Sequence, residues 1–131
     1  MTAAPAAALP RALRAVAGLT VVSGAVQIVR PEWVLGELSP RSTPLDQHLF
    51  ATIGMFMVVS GGTLDRCLAV PSPDRGLLIW AALQKLGASA AVGIGVRRRL
   101  FSPRAIPVAA FDLISGLGCV AYAWPRSREG E

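Results

Sequence analysis

Four apolar stretches, at about 12–29, 49–64, 77–96 and 105–124, occupy most of the 131 residues. Each approaches the roughly 20 residues that a helix needs to cross about 30 Å of hydrocarbon. Lipid offers no partner to backbone N–H and C=O groups, so stretches of this kind must satisfy them internally as helices. A water-soluble bundle would need a polar face on each helix, and these segments lack one. With 53% hydrophobic and only 16% charged residues, the chain departs from ordinary soluble usage. The expectation is an all-α integral membrane domain over residues 1–131, a four-transmembrane-helix bundle with antiparallel up-down topology. Residues 1–9 are expected as a flexible N-terminus, 30–43 as an interfacial connection and 125–131 as a polar C-terminal tail.

Prolines set the helix boundaries more sharply than hydropathy does. Pro10, Pro44, Pro73 and Pro103 each fall where a first helical turn should start, the one place where a missing N–H costs nothing. Thr43, Ser72 and Ser102 precede three of them as N-caps, and Asp46 completes a capping box with Thr43. Pro31, Pro71 and Pro125 stand beyond helix ends. Helices are therefore expected at about 10–29, 44–67, 73–98 and 103–124. Within the 30–43 connection, Trp33, Val34, Leu35 and Leu38 alternate with acids at near-helical spacing, as in a segment lying in the membrane interface. An ordinary loop is the alternative. Trp80 and Trp124 should reach one membrane face, as part of an aromatic belt.

Thirteen basic residues give a net charge of +5, but they cluster at segment ends without the aromatic interleaving that stacks bases. No nucleic-acid partner is expected. Membrane lipid is the expected surrounding, with a lipophilic small molecule and a second copy of the chain as further partners. Arg11, Arg14, Arg66, Arg75, Arg126 and Arg128 fall on one face, and Arg30, Arg41, Arg97, Arg98, Arg99 and Arg104 on the other. This balance cancels the usual orientation signal. Orientation then rests on the first helix, or the chain inserts both ways round as an antiparallel dimer. Arg11 and Arg14 before an apolar run, with Ser23-Gly24-Ala25 after it, resemble a cleavable signal; the segment is read instead as a retained helix, because the other three would otherwise lose a packing partner. Cys67 and Cys119 form no C-x-x-C pair, and one histidine without clustered carboxylates predicts no metal or haem site. No cofactor is expected.

Lys85 and Asp112 each sit inside an apolar segment, where an ionisable group is costly. A hairpin turning near residue 100 places them within about 4–5 Å of the same depth at 1.5 Å rise per residue, so an ion pair is within reach. Both are flanked by small residues that suit a bundle interior. One reading is a register-setting pair; the other gives one of them a proton to bind or exchange. Gln27 and His48, with Asp112 and Lys85, could line a polar path from one face to the centre, and Gln84, Ser89 and Ser115 are further candidate ligand-binding side chains. Asp112, Lys85 and His48 are the candidate catalytic groups. Small residues repeat every four positions at Gly54, Val58 and Gly62 and at Gly87, Ala91 and Gly95, the pattern of closely approaching membrane helices.

Hydrolase, zinc-peptidase, P-loop and dinucleotide signatures are missing in usable contexts. The stretch His48-Leu49-Phe50-Ala51-Thr52-Ile53-Gly54 with the following Gly61-Gly62, and Lys85-Leu86-Gly87, together with the four-helix plan, resemble the small bacterial integral membrane proteins grouped as DoxX-like. That resemblance covers the whole architecture and implies a fold and the bacterial inner membrane, with no role for any residue. Small multidrug transporters share the helix number, but their essential acid lies in the first helix, which here has none. Three functions are expected in turn. The first is binding of a lipophilic small molecule or accessory service to a membrane system. The second is isomerisation or cyclisation of a lipid or isoprenoid with Asp112 as acid or base and His48 as relay. The third is proton-coupled export by a dimer.

Overall fold

The computed structural model of the chain describes residues 3–124. They form α1 (Ala3–Val29), α2 (Pro31–Leu38), α3 (Pro44–Leu68), α4 (Arg75–Arg97), a 3-10 turn at Pro103–Ala105 and α5 (Ile106–Ala123). Four spans are long and apolar enough to cross a bilayer: Ala7–Val29, Pro44–Leu68, Arg75–Arg97 and Pro103–Ala123. No more than 28% of any of their apolar windows is buried, so Phe56, Leu83, Ile114 and many like them face outward. Such a surface is stable against acyl chains and not against water. The protein is an integral membrane protein built as an all-α bundle of four membrane helices. The expected polar tail at 125–131, with Arg126 and Arg128, lies outside the described residues.

The helix ends follow local chemistry, with three departures from the proline pattern. Thr43 and Asp46 form the full capping box: the Thr43 N–H donates to Asp46 Oδ2 at 2.7 Å and the Asp46 N–H to Thr43 Oγ1 at 3.2 Å. The first helix, however, starts at Ala3 and runs through Pro10, so residues 3–9 are helical and not a flexible leader. Alanine has the highest helix propensity, and an alanine-rich turn continues on the N-terminal side of the proline. At α4 the cap is Asp74, which accepts from the Leu77 N–H at 2.8 Å; Ser72 and Pro73 stay in the loop. Ser102 makes no cap bond. Its hydroxyl donates instead to the Glu37 carbonyl at 3.1 Å.

The bundle consists of two antiparallel hairpins, α1 with α3 and α4 with α5. Between α1 and α3 the backbones nearly touch: a β-carbon built on Gly54 would lie 2.6 Å from the Gly24 carbonyl oxygen, and one on Gly61 would lie 2.9 Å from that of Ala17. The working stripe is thus Ala17 and Gly24 against Gly54 and Gly61, spaced by seven and not by four. Seven residues are close to two full turns and hold one line along the helix, whereas eight drift off it. Gly62 and Gly87, expected in the stripes, meet nothing within 4 Å. Leu13, Ala17, Leu64, Cys67, Leu78, Ala82 and Cys119 close a core to which all four membrane helices contribute. At its outer end Arg14 pairs with Asp65, Nε to Oδ1 2.9 Å, and the Arg75 guanidinium lies 5.7 Å from the centre of the Trp124 ring.

At the other face α2 is the interfacial helix of the first connection, seated on Leu35, with Trp33 exposed. It is tied to the third connection by the Ser102 N–H donating to the Leu38 carbonyl at 2.8 Å, by the Ser102 hydroxyl, and by an ion pair between Arg104 and Glu37. The α4 terminus is a Schellman turn: the Leu100 N–H returns to the Gly95 carbonyl at 2.9 Å and the Arg99 N–H to that of Val96 at 3.0 Å. The pivot of such a turn is left-handed and normally glycine. Here it is Arg99, at φ 59°.

Two stability outcomes follow from these contacts. Gly54→Ala should cost about 1–3 kcal/mol by forcing the α1–α3 backbones apart, while Gly62→Ala should be neutral or slightly stabilising; unfolding in detergent micelles separates the two. Arg99→Gly should raise stability by about 1 kcal/mol, because the left-handed pivot no longer carries a β-carbon.

Candidate functional site

Three helices converge on Lys85. The residue is 3% exposed, against 8% for Asp112 and 2% for Thr20. Its ammonium donates to Asp112 Oδ1 on α5 at 2.9 Å and to Thr20 Oγ1 on α1 at 2.7 Å. The Thr20 hydroxyl in turn donates to the Val16 carbonyl at 2.9 Å, so a polar chain runs from α5 through α4 into α1. The face of the Phe111 ring lies 5.2 Å from the ammonium, a further favourable contact for a desolvated cation. The paired charges sit where an unpaired one would be severely penalised.

The surroundings of the pair are tightly filled. Ser60, Gly61, Ala81 and Gln84 join Thr20 and Lys85 around a cavity of about 10 Å³, close to the smallest space that holds one water. The neighbouring hydroxyls are already engaged: Ser89 Oγ donates across the seam to the Ala109 carbonyl at 2.8 Å, and Ser115 Oγ to the carbonyl of Phe111 on its own helix at 2.6 Å. Gln84 is largely exposed, with an edge on the small cavity.

The expected polar path from Gln27 through His48 is not assembled. Gln27 turns toward α3, where its Nε2 donates to the Met57 sulfur at 3.3 Å while its buried Oε1 finds no partner. His48 is exposed near the start of α3, and no side-chain hydrogen bond joins it to the pair. Both residues belong to the first hairpin, whereas the charges lie on the second. Thr20 and Ser60 were not singled out in the sequence, although Thr20 lies midway along the first apolar segment, at the depth where Lys85 needs a partner. Among the described residues no three of His, Cys, Asp and Glu come together as metal ligands.

A far larger space opens at the membrane face carrying the first and third connections. This groove of about 780 Å³ is bordered by Ser39, Arg41, Val96, Arg99, Leu100 and Phe101, among others. Its volume is that of a ligand site, about 300–1,000 Å³, but it is half open to the surface and not an enclosed cavity. Comparison with protein-family models, with curated proteins and with solved structures finds no match to the chain.

The ion pair yields a clear mutational contrast. Lys85→Met alone or Asp112→Leu alone should each cost about 3–5 kcal/mol by stranding a buried charge, while the double replacement should recover most of that loss. Denaturant unfolding of the three variants in one detergent measures the difference.

Proposed function

We propose that the protein binds a lipophilic small molecule at the membrane interface, alone or as the accessory subunit of a larger membrane system, with Lys85 and Asp112 serving as an internal clamp. The observation that carries this reading is the contrast in space. Beside the pair there is room for about one water, whereas the groove between the first and third connections is large enough for a ligand. Acid–base turnover or proton-coupled transport would need a substrate or a proton route to reach Asp112, and its surroundings are packed with engaged side chains. The DoxX-like resemblance, and with it a place in the bacterial inner membrane, belongs to the same proposal.

A neutral photoactivatable alkyl-diazirine probe, incorporated with the protein into lipid nanodiscs, tests the reading. Labelling should concentrate on the peptide containing Val96, Leu100 and Phe101, and it should persist in the folded Lys85→Met, Asp112→Leu double variant. Uniform labelling of all outward-facing residues would overturn groove binding. Loss of groove labelling in the folded double variant would return the buried pair to the ligand site.

A further inference from the structure

We propose that the groove is a selective site for a membrane phospholipid with an anionic, phosphate-bearing headgroup, which Arg41 and Arg99 hold while Val96, Leu100 and Phe101 lie along its hydrocarbon. This rests on the binding reading above and names the chemistry of the ligand.

Charge complementarity is the first support. Arg41 comes from the first connection and Arg99 from the third, yet both border one groove. No carboxylate borders it, and the nearby Glu37 is already paired with Arg104. The groove's two serine hydroxyls already donate to backbone carbonyls, Ser39 to that of Leu100 at 3.2 Å and Ser102 to that of Glu37 at 3.1 Å. Among the described residues neither Arg41 nor Arg99 has an ion-pair partner. The planar guanidinium fork matches phosphate oxygens two at a time.

The position of Arg99 is the second support. A glycine would complete the Schellman turn without strain, and the chain instead places a long cationic side chain at φ 59°. A strained residue that the local fold does not require points to a use for its side chain. The third support is depth. Arg41 precedes the start of α3 and Arg99 follows the end of α4, so both stand at the ends of membrane helices, beside exposed Leu100 and partly buried Phe101. Cations beside exposed and partly buried apolar side chains suit a phospholipid laid along the protein, and basic pockets at the ends of membrane helices attract anionic headgroups. A free phosphate would leave the apolar wall unused.

The test is native mass spectrometry of the full chain in a mild detergent, titrated with phosphatidylglycerol or phosphatidylcholine of identical acyl chains and, in a third arm, with inorganic phosphate. Phosphatidylglycerol should be retained about 20–30-fold better than phosphatidylcholine, and removing either arginine should reduce that preference about fivefold. Arg41→Ala and Arg99→Gly are the variants. The second should lose selectivity while unfolding at the same or a higher temperature, which separates binding from folding. Equal retention of the two lipids, with the uncharged probe still labelling the groove, would overturn the anionic site and leave the binding reading standing. Absence of both lipid retention and groove labelling would overturn both. Saturable phosphate binding that displaces the lipid entirely would overturn the lipid as the occupant.

Discussion

The bundle depends on Lys85 finding two partners at once. Its carboxylate partner lies on the neighbouring helix of its own hairpin, and its hydroxyl partner lies on the opposite hairpin. The first contact sets the α4–α5 register, and the seam on either side agrees with it: Ser89 meets the Ala109 backbone one turn away, and Gly116 gives room to Leu86 on the other side. The second contact links hairpins that otherwise meet through fewer side chains. Apolar residues of matching shape can often replace a buried pair with little loss of stability. What the pair adds is directionality, since methyl groups would tolerate a rotated or shifted α4 and an ammonium between a carboxylate and a hydroxyl does not.

The two hairpins are held by different means. In α1–α3 the attraction comes from close backbone approach at Ala17, Gly24, Gly54 and Gly61, where dispersion substitutes for a hydrophobic drive that lipid does not provide. In α4–α5 the Lys85–Asp112 pair and the Ser89 hydroxyl on the Ala109 carbonyl add polar bonds to the close fit of Leu86 on Gly116. The ends are finished differently too, with Arg14 and Asp65 at one face and the α2 strap at the other.

Much of the fold was legible because its determinants are local. Segment length, the Thr43–Asp46 box and the near-equal distances of Lys85 and Asp112 from their turn involve only short-range counting, and each led to the observed structure. The errors also have local causes. Pro10 has the form of a helix start, yet the strong helix-forming alanines before it carry the helix on to Ala3. Ser72 looked like a cap although Asp74 was a stronger acceptor two residues later. Gly62 and Gly87 looked like contact residues because a four-residue rhythm shows spacing without showing which face meets a neighbour. Thr20 was the largest omission at the site. Its hydroxyl can satisfy itself on the preceding turn, so nothing in the chain marked it as a second partner for a lysine 65 residues away. The Arg41 and Arg99 groove needs two connections brought together by α2, which sequence spacing does not encode.

The neutralising partner of Lys85 has a consequence for how the molecule is made. Lysine and aspartate lie 27 residues apart on consecutive spans, so a nascent chain that released α4 into lipid ahead of α5 would expose a naked cation to the acyl core. The economical route is for the second half to leave the insertion machinery as one electrically balanced unit.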